Sequence, residues 1–131
     1  IRAGRVVELF RSHREGIADG EQRRDFIHVD DVVRVMTWLL ATPSVSGIFN
    51  VGTGKARSFR DLILAAYAAL GTAPNISYVD MPEHIRGSYQ YFTQGEMERL
   101  ARAGYNGGFT ALEDAVGSYV RSYLDAPDRY R

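Results

Sequence analysis

A mixed α/β fold, with short strands set among about five helices, is what the sequence predicts, and three observations predict it. Apolar residues recur at helical spacing over Val32 to Leu40 and over Phe59 to Leu70. Ser46 to Val51 and Ile76 to Val79 are apolar runs too short for a helix, each next to glycine, proline or aspartate. The 131 residues are 45% hydrophobic and 24% charged, enough apolar material for one core and far from the composition of disordered chains. No internal repeat or low-complexity linker divides them, so residues 1–131 are expected to form a single region.

Val6, Val7, Leu9 and Phe10 stand among arginines between Arg2 and Glu15, a pattern that predicts an amphipathic first helix. Asp19 and Gly20 predict a turn within the polar stretch 16–22, ahead of a short strand through Phe26, His28 and Val29. Asp30 or Asp31 can cap the next helix, whose Val32, Val33, Val35, Met36, Leu39 and Leu40 predict a buried stripe and whose end is set by Pro43. Ser46 to Val51 predicts a buried strand. Ser58 and Asp61 have the spacing of a capping box for a helix running to Gly71. A short strand is expected within 74–80. Thr93 with Glu96, and Thr110 with Glu113, repeat the box ahead of two late helices, the second with Leu112, Val116, Tyr119, Val120 and Tyr123 inward. The tail from Asp125 is expected to fray.

Sixteen basic residues balance sixteen acidic ones, so no global field draws the chain to nucleic acid or to an anionic membrane. No apolar run has the length of a membrane span. The absence of cysteine excludes disulfides, thiolate metal sites and cysteine nucleophiles. His13, His28 and His84 lack the spacing of metal ligands, and Ser58 and Ser88 lack a nucleophile-elbow context. A chain that begins at Ile1, without an initiator methionine, is expected to be a fragment.

Three segments carry candidate chemistry. The turn Gly52-Thr53-Gly54 follows an expected strand, where backbone amides can cradle phosphate, yet it lacks the third glycine of a dinucleotide fingerprint and the Ser or Thr that follows a P-loop lysine; a plain tight turn is the simpler reading. Arg23-Arg24-Asp25 offers either a fork of N–H donors for a pyrophosphate, with Asp25 orienting the arginine or holding a neighbouring group, or a surface ion pair. Tyr89 and Tyr91, after Arg86-Gly87-Ser88, fit either ligand binding or core packing.

At Arg24-Asp-Phe-Ile-His-Val-Asp-Asp31, Gly47-Ile-Phe-Asn-Val-Gly-Thr-Gly54 and Ser58-Phe59, the chain resembles the C-terminal half of extended short-chain dehydrogenase/reductases that act on nucleotide sugars. Ile85-Arg-Gly-Ser-Tyr-Gln-Tyr-Phe-Thr-Gln94 and Leu100-Ala-Arg-Ala-Gly-Tyr105 narrow the resemblance to the ADP-glyceromanno-heptose 6-epimerase family within that group. The resemblance implies a C-terminal substrate-binding portion of a longer enzyme, lacking the N-terminal Rossmann glycine-rich turn. It implies an ADP-sugar substrate, epimerised at C6 by transient oxidation and return of hydride through a tightly held NADP. It also implies a homo-oligomer in a bacterial cytoplasm, supplying lipopolysaccharide precursors. Arg24 matches a substrate-contacting position, where it would meet the pyrophosphate, and Tyr89 matches a substrate-contacting tyrosine. Ile17, Ala18, Asp19 and Gly20 fall in another substrate-contacting stretch, and Arg86 is a further phosphate partner. The family's tyrosine and lysine, four residues apart, have no counterpart: the one lysine, Lys55, follows Val51 at that distance. No catalytic residue is therefore expected in this chain, and the fragment alone is expected to be inactive. A fragment of a UDP- or dTDP-sugar epimerase or dehydratase, or a non-catalytic nucleotide-sugar-binding module, is the alternative.

Overall fold

The computed structural model describes residues 1–124. The expectation for the tail from Asp125 lies outside the described residues. In chain order the elements are β1 (Val7–Phe10), β2 (Arg23–Arg24), α1 (Val29–Ala41), β3 (Arg57–Ser58), α2 (Phe59–Ala69), β4 (Ile76–Val79), α3 (Glu83–Arg86), α4 (Glu98–Arg102) and α5 (Leu112–Tyr119), which runs on into a π-type turn, Val120–Leu124. The mixed α/β expectation is met, with five α-helices among the described residues.

The first expected helix is a strand. β1 pairs in parallel with β4, Val7 opposite Ile76 and Phe10 opposite Val79. Val7 and Leu9 alternate with Glu8 and Phe10, a period of two that the same apolar residues satisfy as well as the helical one. A partner strand 69 positions downstream decides between the two periods. Gly20 lies behind this pair with φ of +75°, and a Cβ there would come within 3.0 Å of the Tyr78 ring and 3.1 Å of Leu9. Only glycine fits both the backbone and the space.

β2 and β3 form an antiparallel pair, Arg23 opposite Ser58 and Arg24 opposite Arg57, and a bridge from Arg23 to Phe92 lays a third segment along the other edge of β2. The strand expected through Phe26, His28 and Val29 does not form: only Arg23 and Arg24 pair, and Val29 already belongs to α1. α1 begins sooner than expected: His28, not Asp30 or Asp31, is the N-cap, its Nδ1 accepting the Asp30 N–H at 3.2 Å. Asp31 is instead fully buried, accepting the backbone N–H and the hydroxyl of Thr110, both at 2.8 Å, and a bond from Arg34. Thr110 is thereby taken from the capping box expected for α5. Ala111 caps that helix without a side-chain bond, and Glu113 pairs with Arg57 at 2.7 Å. The Thr93 box fails likewise, because the Thr93 N–H donates to Arg23 O and α4 starts at Glu98. The Ser58–Asp61 box forms with both of its reciprocal bonds.

One core cluster joins Val35 of α1, Leu100 of α4 and Tyr105, with Trp38, Leu39, Phe49, Val51, Met97 and Phe109 packed against it. Val35 is buried, but Val33, Met36 and Leu40 of the expected stripe are exposed, Leu40 to 84%. Val29, Val33, Met36 and Leu40 follow one another at the helix period on the face away from this cluster, so α1 is apolar on two sides. Ser46 to Val51 forms no ladder. Phe49 and Val51 turn inward and Ile48 outward, 84% exposed, which is the alternation of a strand without a neighbouring strand to pair with among the described residues. α2 packs along α5, and the Tyr67 hydroxyl of α2 donates to Asn75 O at 2.8 Å, tying that layer to the turn before β4. In α5 and the turn after it, Leu112 and Val120 are buried whereas Tyr119 is exposed.

Candidate functional site

β2 lies between its partner β3 and the segment bridged to it at Phe92, which places Arg24 between side chains from both neighbours. Its guanidinium carbon lies 5.7 Å from the centre of the Phe59 ring, next to β3, and 5.3 Å from that of Tyr89, on the segment leading to Phe92. Such stacking on aromatic faces leaves the N–H donors directed from the guanidinium edge. One of them donates to Arg23 O at 2.8 Å, and no carboxylate pairs with Arg24 among the described residues. The surface ion pair that sequence alone allowed is absent there. Tyr89 is itself held edge-on between Phe10, at 6.1 Å, and Tyr91, at 5.6 Å.

Three shallow clefts run side by side across this face. Phe59, Tyr89, Phe10 and Gln22 line the first, Tyr89, Tyr91, Arg86 and Arg14 the second, and Tyr91, Arg23, Ile17 and Ala18 the third. Tyr89, Arg86, Ile17 and Ala18 are thus brought together across up to 72 positions of sequence, whereas Arg24 lines none of the three clefts and joins this face through its contacts with Phe59 and Tyr89. Arg86 is turned back by a 2.6 Å bond from its Nε to Met81 O. Asp19 and Gly20 line none of these clefts. Asp19 accepts the Ser12 N–H at 2.7 Å and closes the loop, while Gly20 donates to Phe10 O and accepts from Arg60. They shape the stretch that carries Ile17 and Ala18. Tyr91 resolves towards packing: it is buried, and its hydroxyl accepts the His13 N–H at 3.0 Å.

Reasoning from sequence missed Arg14, whose guanidinium lies 5.3 Å from the Tyr91 ring centre, and the aromatic supports Phe10 and Phe59. Phe59 follows the legible Ser58 cap directly, but nothing in the sequence places it beside Arg24.

The glycine turn is filled from within. Asp25 Oδ1 accepts the N–H of Thr53 at 2.8 Å and the Thr53 hydroxyl, while Oδ2 accepts Gly54 N–H at 2.9 Å and Gly95 N–H at 3.0 Å. A Cβ on Gly52 would stand 2.5 Å from Oδ2. Burial by itself would raise the Asp25 pKa, but the Thr53, Gly95 and Gly54 bonds outweigh it and hold the carboxyl below its ordinary value. A second network sits at the start of α2. Arg57, its pKa raised by hydrogen bonds to Glu113 and Asp61, binds both carboxylates and lowers theirs. No group of His, Asp and Glu fit for a metal ion occurs among the described residues, and no helix there is long and apolar enough to cross a membrane.

The NAD dependent epimerase/dehydratase family matches the chain over residues 1–52. An ADP-L-glycero-D-manno-heptose-6-epimerase of Nitratidesulfovibrio vulgaris (strain DP4) is 54% identical over 125 residues, which are 95% of this chain and 39% of that protein. A protein of the same name from Fusobacterium nucleatum is 44% identical over 130 residues, again 95% of this chain and 39% of the relative. The chain therefore spans about 39% of the length of these curated relatives. Among solved structures, the Helicobacter pylori ADP-L-glycero-D-manno-heptose-6-epimerase superposes with a TM-score of 0.68 at 25% identity, covering 89% of this chain and 32% of that one. A UDP-N-acetylglucosamine 4-epimerase from Methanobrevibacter ruminantium reaches 0.73 at 18% identity, with 95% and 36% covered, a likeness of fold.

Proposed function

We propose that this chain, which matches the NAD dependent epimerase/dehydratase family over residues 1–52 and relatives named ADP-L-glycero-D-manno-heptose-6-epimerase over 95% of its own length, is the substrate-binding part of an ADP-glyceromanno-heptose 6-epimerase. The observation that carries this reading is Arg24: a guanidinium stacked on Phe59 and Tyr89, with no carboxylate partner among the described residues. A planar fork so presented suits the two phosphates of a nucleoside diphosphate, because charge-assisted paired bonds form along its edge while the rings hold its plane. Tyr89 contacts the substrate beside it, Ile17 and Ala18 line the adjoining cleft, and Arg86 supplements the positive charge. Asp19 and Gly20 act by shaping that loop.

The glycine turn Gly52-Thr53-Gly54 does not fit a nicotinamide dinucleotide. The amides of its glycine turn point to Asp25, so they offer no cradle to a dinucleotide phosphate. In this reading the NADP site and the acid–base pair belong to the remainder of a longer protein, a homo-oligomer in the cytoplasm. Epimerisation at C6 is that protein's activity, and this chain alone binds without turnover. The exposed apolar residues of α1 and Ile48 support a place within a larger body.

Calorimetric titration with ADP, UDP and dTDP tests the assignment. ADP is expected to bind tightest, and Arg24→Ala to weaken it by about 1.5–3 kcal/mol, the range for hydrogen bonds to a charged group. Preference for UDP or dTDP would overturn the heptose reading, and unchanged affinity in Arg24→Ala would remove Arg24 from the site.

A further inference from the structure

We propose that Asp25 is a positioning residue, an internal anion that locks the segments carrying Arg24, Phe59 and Tyr89 into one face. Arg24 and Tyr89 come from segments 65 residues apart, and the direct links between their strands are few. Arg23 N–H donates to Tyr91 O at 2.8 Å and Thr93 N–H to Arg23 O at 3.2 Å, after which the ladder stops. Asp25 continues the connection without a ladder. Its Oδ2 takes the Gly95 N–H, two residues past Thr93, and also the Gly54 N–H, while Oδ1 takes both donors of Thr53. On the opposite edge, β3 delivers Phe59. The two rings that flank Arg24 thus come from segments on either side of β2, and the carboxylate one residue beyond Arg24 fastens the Tyr89 segment and the glycine turn to it.

Size and charge both matter to this arrangement. The carboxylate fills the space between the glycines so closely that a Cβ on Gly95 would approach Oδ2 to 3.3 Å. The N–H groups that converge on it form a concave anion site of the kind that binds phosphate elsewhere. With Asp25 inside, that site is satisfied by the protein's own charge, and Arg24 is left as the receptor for an external anion. An amide side chain at position 25 would set its NH2 against N–H donors, so shape alone does not replace the carboxylate.

The consequence for nucleotide binding rests on the function proposed above; the positioning does not. Asp25→Gly keeps the donors and removes the anion, and formate matches the missing group. The expected result is a loss of the ring-current displacement of the Arg24 side-chain protons in NMR spectra and a roughly tenfold or greater fall in ADP affinity. Both should recover saturably on adding formate, and not on adding chloride at equal ionic strength. A folded Asp25→Gly chain with Arg24 signals unmoved would overturn the proposal, as would loss without recovery in formate. If Asp25→Gly does not fold even in formate, Thr53→Val, which removes one donor, decides: a partial displacement of the Arg24 signals and a roughly threefold loss of affinity support it, and unchanged signals overturn it. Should the unaltered chain bind no ADP, the nucleotide reading fails, and the Arg24 signals still decide the role of Asp25.

Discussion

Around Arg24, segments far apart in sequence are tied together by hydrogen bonds at their ends: Arg23 to Tyr91 and Thr93, and Asp25 to Thr53, Gly54 and Gly95. On the outer face of α1 the reverse holds, with Val29, Val33, Met36 and Leu40 exposed in a row and Ile48 exposed on the unpaired segment after the helix. One region is held by polar bonds that the sequence hardly announces. The other displays an amphipathic pattern plainly, yet half of it meets nothing. Apolar periodicity tells which residues prefer to leave water, whereas the positions of neighbouring segments decide which of them do.

The two faces of α1 offer the largest contrast. Leu100, packed against Val35, is expected to cost about 2–5 kcal/mol on truncation to alanine, because the cavity adds to the lost burial. Urea unfolding of Leu100→Ala would measure it, and a loss below about 1 kcal/mol would mean that this cluster is not the core.

Acid should attack the braced region next. Asp25, Asp61 and Glu113 all have folded-state pKa values held below their ordinary ones, so their contribution is present in full above the unfolded values and is lost as pH falls through the lower folded ones. The thermal midpoint is expected to drop below about pH 4. In Asp25→Asn that drop should be shallower, since one titrating carboxylate is gone. A drop equally steep would mean that Asp25 titrates alike in both states.

Ser58→Ala is expected to cost about 1 kcal/mol, the usual worth of an N-cap, and to loosen Phe59 with it. Smallest of all, Leu40→Ala should change stability by less than about 0.5 kcal/mol. A larger loss would show that Leu40 is covered in solution, and concentration-dependent sedimentation would then identify a second copy as the cover.

The elements legible in the sequence are those whose signals are local. The Ser58–Asp61 box and the apolar spacing after it predict α2 closely, and Ile76 to Val79 reads correctly as a strand. Three misreadings share one pattern, in which a distant partner outbids a local one. β4 turns Val7–Phe10 into a strand, Asp31 takes Thr110 away from its box, and Arg57 takes Glu113. For the site, the sequence motif marks Arg24 and Tyr89, but the Phe59 platform, the Arg14–Tyr91 stack and the occupant of the glycine turn depend on contacts that no spacing encodes.

By itself, the sequence determined the mixed α/β class, the apolar inventory, the absence of thiol chemistry and the position of the helix that follows Ser58, since composition and short-range periodicity carry these directly. Only the tertiary structure decided that Asp25 fills the glycine turn, that Arg24 lies between two rings, and that one side of α1 is exposed. The physical reason is that a hydrogen bond or a buried contact requires two groups in one place, and their separation along the chain, here up to 79 residues between Asp31 and Thr110, is closed by folding alone.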